Sequence, residues 1–163
     1  MITIRPATPA DLAFVVDLAG RLVDGFDAPP HRTKPELIEG DRRALDAWFT
    51  RLRQGSGAAG REGEAIYVAE LDGAPAGCAY LVTLVDYFNQ RPHAHLSVLA
   101  VRADAEGKGV GSALLDRSVA WAKEQQSDRL TLSALVTNAR ARALYERRGF
   151  GGEYIRYVLP IQP

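Results

Sequence analysis

Residues 101–111 read Val101-Arg102-Ala103-Asp104-Ala105-Glu106-Gly107-Lys108-Gly109-Val110-Gly111. They follow a strand-like apolar run, and a helical pattern begins at Val110. The glycines at alternate positions leave backbone N–H groups unshielded, and the helix N-terminus beside them adds partial positive charge. The stretch therefore predicts a cradle for the diphosphate of a nucleotide-like ligand. A turn that needs glycine for purely conformational reasons is the alternative.

Two familiar phosphate-binding patterns do not fit this stretch. The Walker pattern ends in Gly-Lys-Ser/Thr, whereas Lys108 lies inside the glycine run. The dinucleotide-binding fingerprint spaces its glycines differently and belongs near the start of a strand–helix–strand unit. The elements around the stretch must decide what it binds.

Composition favours one domain with its own core and a local anion site. The chain has 163 residues, 47% of them hydrophobic, and a formal net charge of zero. This length and apolar content suit a single domain over residues 1–163. The balanced charge indicates neither a nucleic-acid nor a membrane partner. The chain has no signal-peptide pattern at its start and no run of membrane-spanning length, so we expect a cytoplasmic protein.

The single cysteine, Cys78, excludes an internal disulfide and a multi-cysteine metal site. It lies in an apolar strand pattern, so we expect a packed core thiol and not a nucleophile. We predict no metal site.

Periodicity predicts an α+β fold with layers of the α/β type. We expect one twisted, mixed, mostly antiparallel sheet of about seven strands, flanked by about four helices. The predicted strands cover residues 2–5, 66–71, 77–85, 95–101, 130–136 and one or two strands within 154–159. The predicted helices begin after Thr8, Thr33, Gly109 and Asn138, and Gly40 is expected to break the second of them into two pieces. Residues 24–31 and the glycine-rich residues 54–63 are predicted loops.

Two adjacent strand–helix units concentrate the candidate chemistry. The first contains the glycine stretch, and the second runs from the strand at 130–136 into a helix that opens at Asn138. Such units place their helix N-termini along one edge of the sheet. A long ligand is expected to cross that edge.

The second unit reads Asn138-Ala139-Arg140-Ala141-Arg142-Ala143-Leu144-Tyr145-Glu146-Arg147-Arg148-Gly149-Phe150. Together with residues 101–114, it closely resembles the GNAT superfamily of acyl-CoA-dependent N-acetyltransferases. The Asn, Leu-Tyr-Glu and Gly-Phe of this motif stand at the family's spacing. The resemblance covers essentially the whole chain and is least informative over residues 21–63.

The resemblance implies a set of residues that bind acetyl-CoA. The pyrophosphate would bind Gly107, Lys108, Gly109, Val110, Gly111 and Ser112, and the pantetheine arm would pair with the backbone of Leu99, Ala100 and Val101. Asn138 would contact the cofactor, although an ordinary helix N-cap is an alternative that can hold at the same time. Tyr145 would lie near the CoA sulfur and protonate the leaving group, and a core tyrosine is its alternative.

The implied reaction is direct attack of a neutral amine on the thioester, helped by a strand N–H near Leu99. No carboxylate stands on the central strand, so His95 is the nearest candidate for the general base, and a structural histidine is its alternative. Further candidates for amine binding are Asp86, Tyr87, Asp24 and Asp27, with solvated loop residues as the alternative. The loops 21–34 and 86–92 are expected to border the acceptor.

Glu106 departs from the family pattern, which begins the glycine motif with Arg or Gln. An anion there would oppose a diphosphate unless Lys108, Arg102 or Arg140 offsets it. This departure and the missing carboxylate leave two functions open. The first is an acetyl-CoA-dependent N-acetyltransferase that acts on a primary amine, as a monomer or a homodimer. The second is an inactive CoA-binding sensor or scaffold.

Overall fold

The computed structural model describes residues 1–54 and 63–161. The strands are β1 (Ile2–Pro6), β2 (Glu64–Leu71), β3 (Ala74–Val85), β4 (Pro92–Val101) and β5 (Leu130–Leu132). The α-helices are α1 (Leu12–Ala19), α2 (Lys34–Arg53), α3 (Val110–Glu124) and α4 (Ala139–Arg147). Short 3₁₀ turns lie at Pro9–Asp11, Gly20–Val23 and Ala103–Ala105. The α+β class and the four helices are confirmed.

The strands form one sheet in the order β1-β2-β3-β4-β5. The first four pair antiparallel, and β4 pairs with β5 in parallel. The β2–β3 hairpin turns at Asp72 and Gly73, whose φ angles of 53° and 84° suit the tight turn that this dipeptide favours. The mixed, mostly antiparallel sheet is confirmed.

The prediction of about seven strands is wrong, because the described residues form five. Residues 133–137 and 151–161 contain no strand. The apolar side chains of the second segment are exposed, Tyr154 by 67% and Tyr157 by 88%. Alternating apolar and polar residues show that a segment is able to form a strand. A strand also needs a neighbouring strand to pair with, and that neighbour comes from elsewhere in the fold. No described strand pairs with these residues.

Two hydrophobic clusters cover the two faces of the sheet. The helices α1 and α2 supply Val15, Leu18, Leu45, Trp48 and Phe49 to one cluster, which also contains Cys78. The helix α3 supplies Val110, Leu114, Leu115, Trp121 and Ala122 to the other. Burial raises the pKa of the Cys78 thiol to about 12, as expected of a packed core thiol.

Capping residues position the helical layer. The hydroxyl of Thr33 accepts a hydrogen bond from the Glu36 N–H (3.3 Å), and the Glu36 carboxylate accepts one from the Thr33 N–H (2.7 Å). The helix α2 then continues through Gly40 without a break. The predicted loop at 54–63 lies almost wholly outside the described residues.

Candidate active site

A gap opens between β4 and β5 after Leu96, beginning at Ser97. The parallel pairing ends at Leu96, which lies opposite Leu132. At the same point the β3–β4 register skips Ser97, since Tyr80 pairs with Val98 and Leu81 with Leu96. Ser97 is therefore a β-bulge, which bends a strand and redirects its side chains. From here to Val101, β4 has an edge that no described strand covers.

The bulge exchanges the faces of β4. Before it, Ala94 and Leu96 pack in the α3 cluster, whereas after it Val98 and Ala100 pack in the α1–α2 cluster. Leu99 then packs against the α3 cluster. A strict alternation of inward and outward side chains along β4 would not predict this change of face. The consecutive apolar residues Val98 and Leu99 are the sequence signal that the alternation shifts here.

The backbone of Leu99 and Val101 faces the gap. The Arg102 N–H donates to the Ala76 carbonyl of the neighbouring strand (2.8 Å). Because successive residues direct their backbone groups to opposite edges, Ala100 also faces β3, and Leu99 and Val101 face away from it. The Val101 carbonyl accepts a hydrogen bond from Arg21 Nη1 (3.3 Å) on that outer side. Leu99 and Val101 thus direct their backbone groups away from β3, with the Val101 carbonyl bonded to Arg21, whereas the backbone groups of Ala100 face β3.

The glycine stretch forms an exposed turn against the start of α3. Gly107 and Gly109 have φ angles of 73° and 88°, which L side chains rarely adopt. Gly109 is the N-cap, and no side chain caps the helix. The first intrahelical bond runs from the Ala113 N–H to the Gly109 carbonyl (3.0 Å). The preceding N–H groups, those of Val110, Gly111 and Ser112, are the unsatisfied donors that bind anions at a helix N-terminus.

Gly77 fixes the position of this helix. A Cβ at Gly77 would lie 2.9 Å from the Ala100 carbonyl oxygen and 2.9 Å from Val110 Cγ1. Only glycine lets α3 approach β3 and β4 so closely. Sequence reasoning missed this residue, because a glycine inside a strand pattern does not reveal what packs over it.

Two helices border the gap as its walls, α3 on the β4 side and α4 on the β5 side. The helix α4 carries Tyr145. The Asn138 side chain caps it by accepting a hydrogen bond from the Ala141 N–H (3.1 Å), so the N-cap alternative is confirmed. The Tyr145 ring packs edge-on against Phe150, with ring centroids 6.0 Å apart. Burial raises the pKa of the Tyr145 phenol, which keeps it protonated at neutral pH.

His95 lies where β4 and β5 are still paired. Its Nδ1 is 2.9 Å from the Thr131 hydroxyl oxygen on β5. Burial, followed by the neighbouring His93, lowers the pKa of the His95 imidazole. A lowered pKa favours the neutral ring, the form that accepts a proton.

Glu106 is held by two arginines. Its carboxylate accepts hydrogen bonds from Arg140 Nη1 (2.7 Å) and from Arg21 Nη2 (3.4 Å). Arg140 was among the expected partners, and sequence reasoning missed Arg21, which lies 85 positions away. Arg102 instead pairs with Asp104 at 2.6 Å.

The loop candidates lie apart from one another. Asp86 closes the β3–β4 loop, since its carboxylate accepts hydrogen bonds from the Phe88 and Asn89 N–H groups and pairs with Arg129 at 2.7 Å. This loop is at the start of β4, the opposite end from the glycine turn. Across the gap, the Asp27 carbonyl accepts a hydrogen bond from the Thr137 hydroxyl (2.7 Å). That bond links the loop before α2 to the loop before α4.

Asp41 is a titratable group that the sequence reading did not single out. It lies one helical turn before Leu45, and burial raises the pKa of its carboxyl to about 6. An acidic residue in register with an apolar helical stripe was the available signal. Asp41 belongs to the α1–α2 layer and not to the two strand–helix units.

The described residues offer neither a membrane-spanning helix nor a metal-binding cluster. No helix among residues 1–54 and 63–161 is both long and apolar enough to cross a membrane. In the same part of the chain, no three His, Cys, Asp or Glu side chains are grouped as a metal ion would need.

A mixed sheet that opens between β4 and β5, with a glycine turn and a helix N-terminus at the opening, is a fold of the GNAT type. A model of the acetyltransferase (GNAT) family matches residues 27–150, and the chain belongs to this family.

Curated relatives share part of their length with this chain. A mycothiol acetyltransferase of Beutenbergia cavernae is 47% identical over 53 residues, which are 32% of this chain and 18% of the relative. An uncharacterized N-acetyltransferase of Methanocaldococcus jannaschii is 26% identical over 149 residues, 91% of this chain and 60% of the relative. The chain thus spans from about a fifth to three fifths of the curated relatives that it matches.

Solved structures share the fold at low sequence identity. The aminoglycoside N-acetyltransferase AAC(6')-Iy in complex with CoA has a TM-score of 0.70 and 17% identity, over 99% of this chain and 95% of that one. The ribosomal-protein-alanine N-acetyltransferase of Brucella melitensis biovar Abortus 2308 has a TM-score of 0.68 and 17% identity, over 99% of each chain. At this identity the likeness shows the fold alone.

Proposed function

We propose that this protein is an N-acetyltransferase that transfers the acetyl group of acetyl-CoA directly to a primary amine. One observation carries the proposal. The open edge of β4 beyond Ser97 leads to the uncapped N-terminus of α3, and Tyr145 lies on the opposite wall. This arrangement offers strand positions for an extended arm, an anion site at its end and a proton donor beside it.

The residues of the gap fit acetyl-CoA. The Gly111 and Ser112 N–H groups would hold the pyrophosphate, and the exposed Lys108 adds positive charge at the turn. The backbone of Leu99 and Val101 would pair with the amides of the pantetheine arm, as in the addition of a strand. Acetyl-CoA supplies an acetyl group that is activated as a thioester.

The chain's own groups then align and polarise the reactants. The Leu99 N–H, close to the bulge, would donate a hydrogen bond to the acetyl carbonyl oxygen as negative charge develops there. Tyr145 would donate its phenolic proton to the departing sulfur, a role that its raised pKa permits at neutral pH. His95, whose lowered pKa favours the neutral ring, remains the proposed acceptor of the amine's proton.

The test measures thiol release from acetyl-CoA in the presence of a panel of primary amines. Polyamines, aminoglycosides, aminothiol glycosides and peptides with free N-termini or lysines make up the panel. Mass spectrometry with a deuterated acetyl group follows the label into the amine. We expect amine-dependent thiol release and a labelled amide. Tight CoA binding without turnover on any amine would instead support a sensor or scaffold.

The homodimer and the cytoplasmic location stay predictions. Light scattering coupled to size-exclusion chromatography measures the oligomeric state.

A further inference from the structure

Glu106 connects three parts of the molecule at the mouth of the gap. It belongs to the turn before α3, and its carboxylate contacts Arg140 in the first turn of α4 at 2.7 Å. It also contacts Arg21, in the 3₁₀ turn after α1, at 3.4 Å. Arg140 is 71% exposed and Arg21 is 29% exposed. The two guanidinium groups contact different oxygens of the one carboxylate, Arg140 the Oε2 atom and Arg21 the Oε1 atom.

These contacts occupy groups that the proposed cosubstrate needs. The Glu106–Arg140 pair joins the glycine turn to α4, across the opening that the phosphates would cross. Arg21 donates a second hydrogen bond to the Val101 carbonyl, an acceptor at the free edge of β4. The pantetheine arm and Arg21 therefore compete for the same backbone oxygen.

We propose that Glu106 is an internal substitute for a phosphate of acetyl-CoA. In the free protein its carboxylate pairs with Arg140 and shares Arg21 with Asp24, which contacts Arg21 Nε at 3.0 Å. Binding of the cosubstrate breaks both Glu106 contacts and transfers Arg140 to a phosphate group. The inference rests on the proposed function, because it names residues that open the same site.

The chemistry of the three groups supports this exchange. Guanidinium binds carboxylate and phosphate in the same planar geometry, so Arg140 is able to exchange one for the other. An exposed ion pair contributes little net stability, so its loss is a small cost to set against phosphate binding. Once Arg140 has moved to the phosphate, the Glu106 carboxylate lies near that second negative charge, and its side chain turns to solvent.

Calorimetric titration with CoA at low ionic strength tests the proposal on the wild type, Glu106→Gln, Arg140→Gln and the double variant. We expect Glu106→Gln to tighten CoA binding about two- to fivefold, because no contact has to be broken first. Arg140→Gln should weaken binding, and it should weaken it more in the Glu106→Gln background than in the wild type. Added salt should shrink all of these differences.

Asp104→Asn is the matched control. Asp104 lies two positions from Glu106 in the same turn, is exposed, and pairs with Arg102. Like Glu106→Gln, the Asp104→Asn change removes one negative charge, but it does not free Arg21 or Arg140. The dissociation constant of this variant for CoA should therefore stay close to that of the wild type. Equal tightening by Asp104→Asn and Glu106→Gln would mean long-range repulsion only and would overturn the exchange.

Other outcomes separate this inference from the proposed function. Equal CoA affinity in the wild type and Glu106→Gln, or tighter binding by Arg140→Gln, overturns the exchange and leaves the transferase proposal standing. CoA binding with the expected pattern but no turnover on any amine overturns the transferase and leaves the exchange standing. Absence of CoA binding in the wild type and all variants overturns both.

Discussion

The two strand–helix units that line the gap follow one plan but are held in place very differently. The β4–α3 unit has a ten-residue strand and a fifteen-residue helix that buries Val110, Leu114, Leu115, Ser118, Trp121 and Ala122. The β5–α4 unit has a three-residue strand and a nine-residue helix with no buried residue. Each large apolar side chain that is fully buried contributes about 1.5–3 kcal/mol. The first unit is therefore the more firmly anchored wall.

The half-buried Leu144 and Tyr145 pack against the α3 cluster, and polar contacts at the surface add to the anchoring of α4. Arg148 pairs with Asp116 on α3 at 2.7 Å and donates to the Ser112 carbonyl at 3.0 Å. Arg140 pairs with Glu106 at the other end of the helix. Exposed pairs of this kind contribute about 0–1 kcal/mol each. On the proposed function, we expect the anchored wall to fix the cosubstrate and the looser wall to bring Tyr145 to it.

The largest expected effect comes from breaking the anion site of the anchored wall. Gly109→Val places a branched side chain at φ 88° beside the free N–H groups of α3, so we expect CoA binding to become undetectable by calorimetry. Gly73→Val is the control, since Gly73 has a similar φ of 84° in the β2–β3 turn, with open space around it. It should show the cost of backbone strain and retain CoA affinity. If both Gly109→Val and Gly73→Val lost their affinity for CoA, the cause would be destabilisation of the fold and not loss of the anion site.

The next effect concerns Tyr145, the proposed proton donor on the looser wall. Tyr145→Phe removes one hydroxyl, so kcat should fall by roughly tenfold to a thousandfold while the affinity for CoA changes little. Tyr157→Phe, on the exposed residues 151–161, is the matched control and should leave both values unchanged. Full activity of Tyr145→Phe across the pH range would make Tyr145 a packing residue.

Packing of the anchored wall gives the third prediction. Gly77→Ala forces a Cβ to within 2.9 Å of the Ala100 carbonyl oxygen, and the free energy of unfolding should fall by about 1–3 kcal/mol. Gly40→Ala, in the open middle of α2, should raise it by about 0.5–1 kcal/mol. Denaturant unfolding measures both. An unchanged Gly77→Ala protein would mean that α3 is not tightly seated on the sheet.

The smallest effect comes from loosening the other wall further. Arg148→Gln removes the pair with Asp116 and should cost less than about 1 kcal/mol of global stability. It should nonetheless speed amide exchange in α4 and leave exchange in α3 unchanged. Arg147→Gln, one position earlier, is the control. Equal acceleration in both helices would contradict the difference between the two walls.

Local signals made the starts of the two helices beside the gap, α3 and α4, predictable from the sequence. The glycine turn, the helix pattern after Val110 and the N-cap at Asn138 depend on residues that are close together in the chain. The bulge at Ser97, the end of β5 at Leu132 and the missing strands at 154–159 depend on which backbone lies alongside, and local alternation cannot specify that. The contact between Arg21 and Glu106 is equally non-local. The sequence therefore predicted Arg140 as a partner that offsets the Glu106 charge, but it did not predict Arg21.

Hydrogen–deuterium exchange with and without CoA tests the central claim most directly, namely that the cosubstrate binds between an anchored wall and a looser one. In the free protein, amides of α3 should exchange slowly and those of α4 quickly. CoA should slow exchange at residues 97–101, in the glycine turn 107–112 and throughout α4, with little change in the rest of α3. Equal exchange of the two helices in the free protein, or protection concentrated at the β3–β4 loop, would contradict the account.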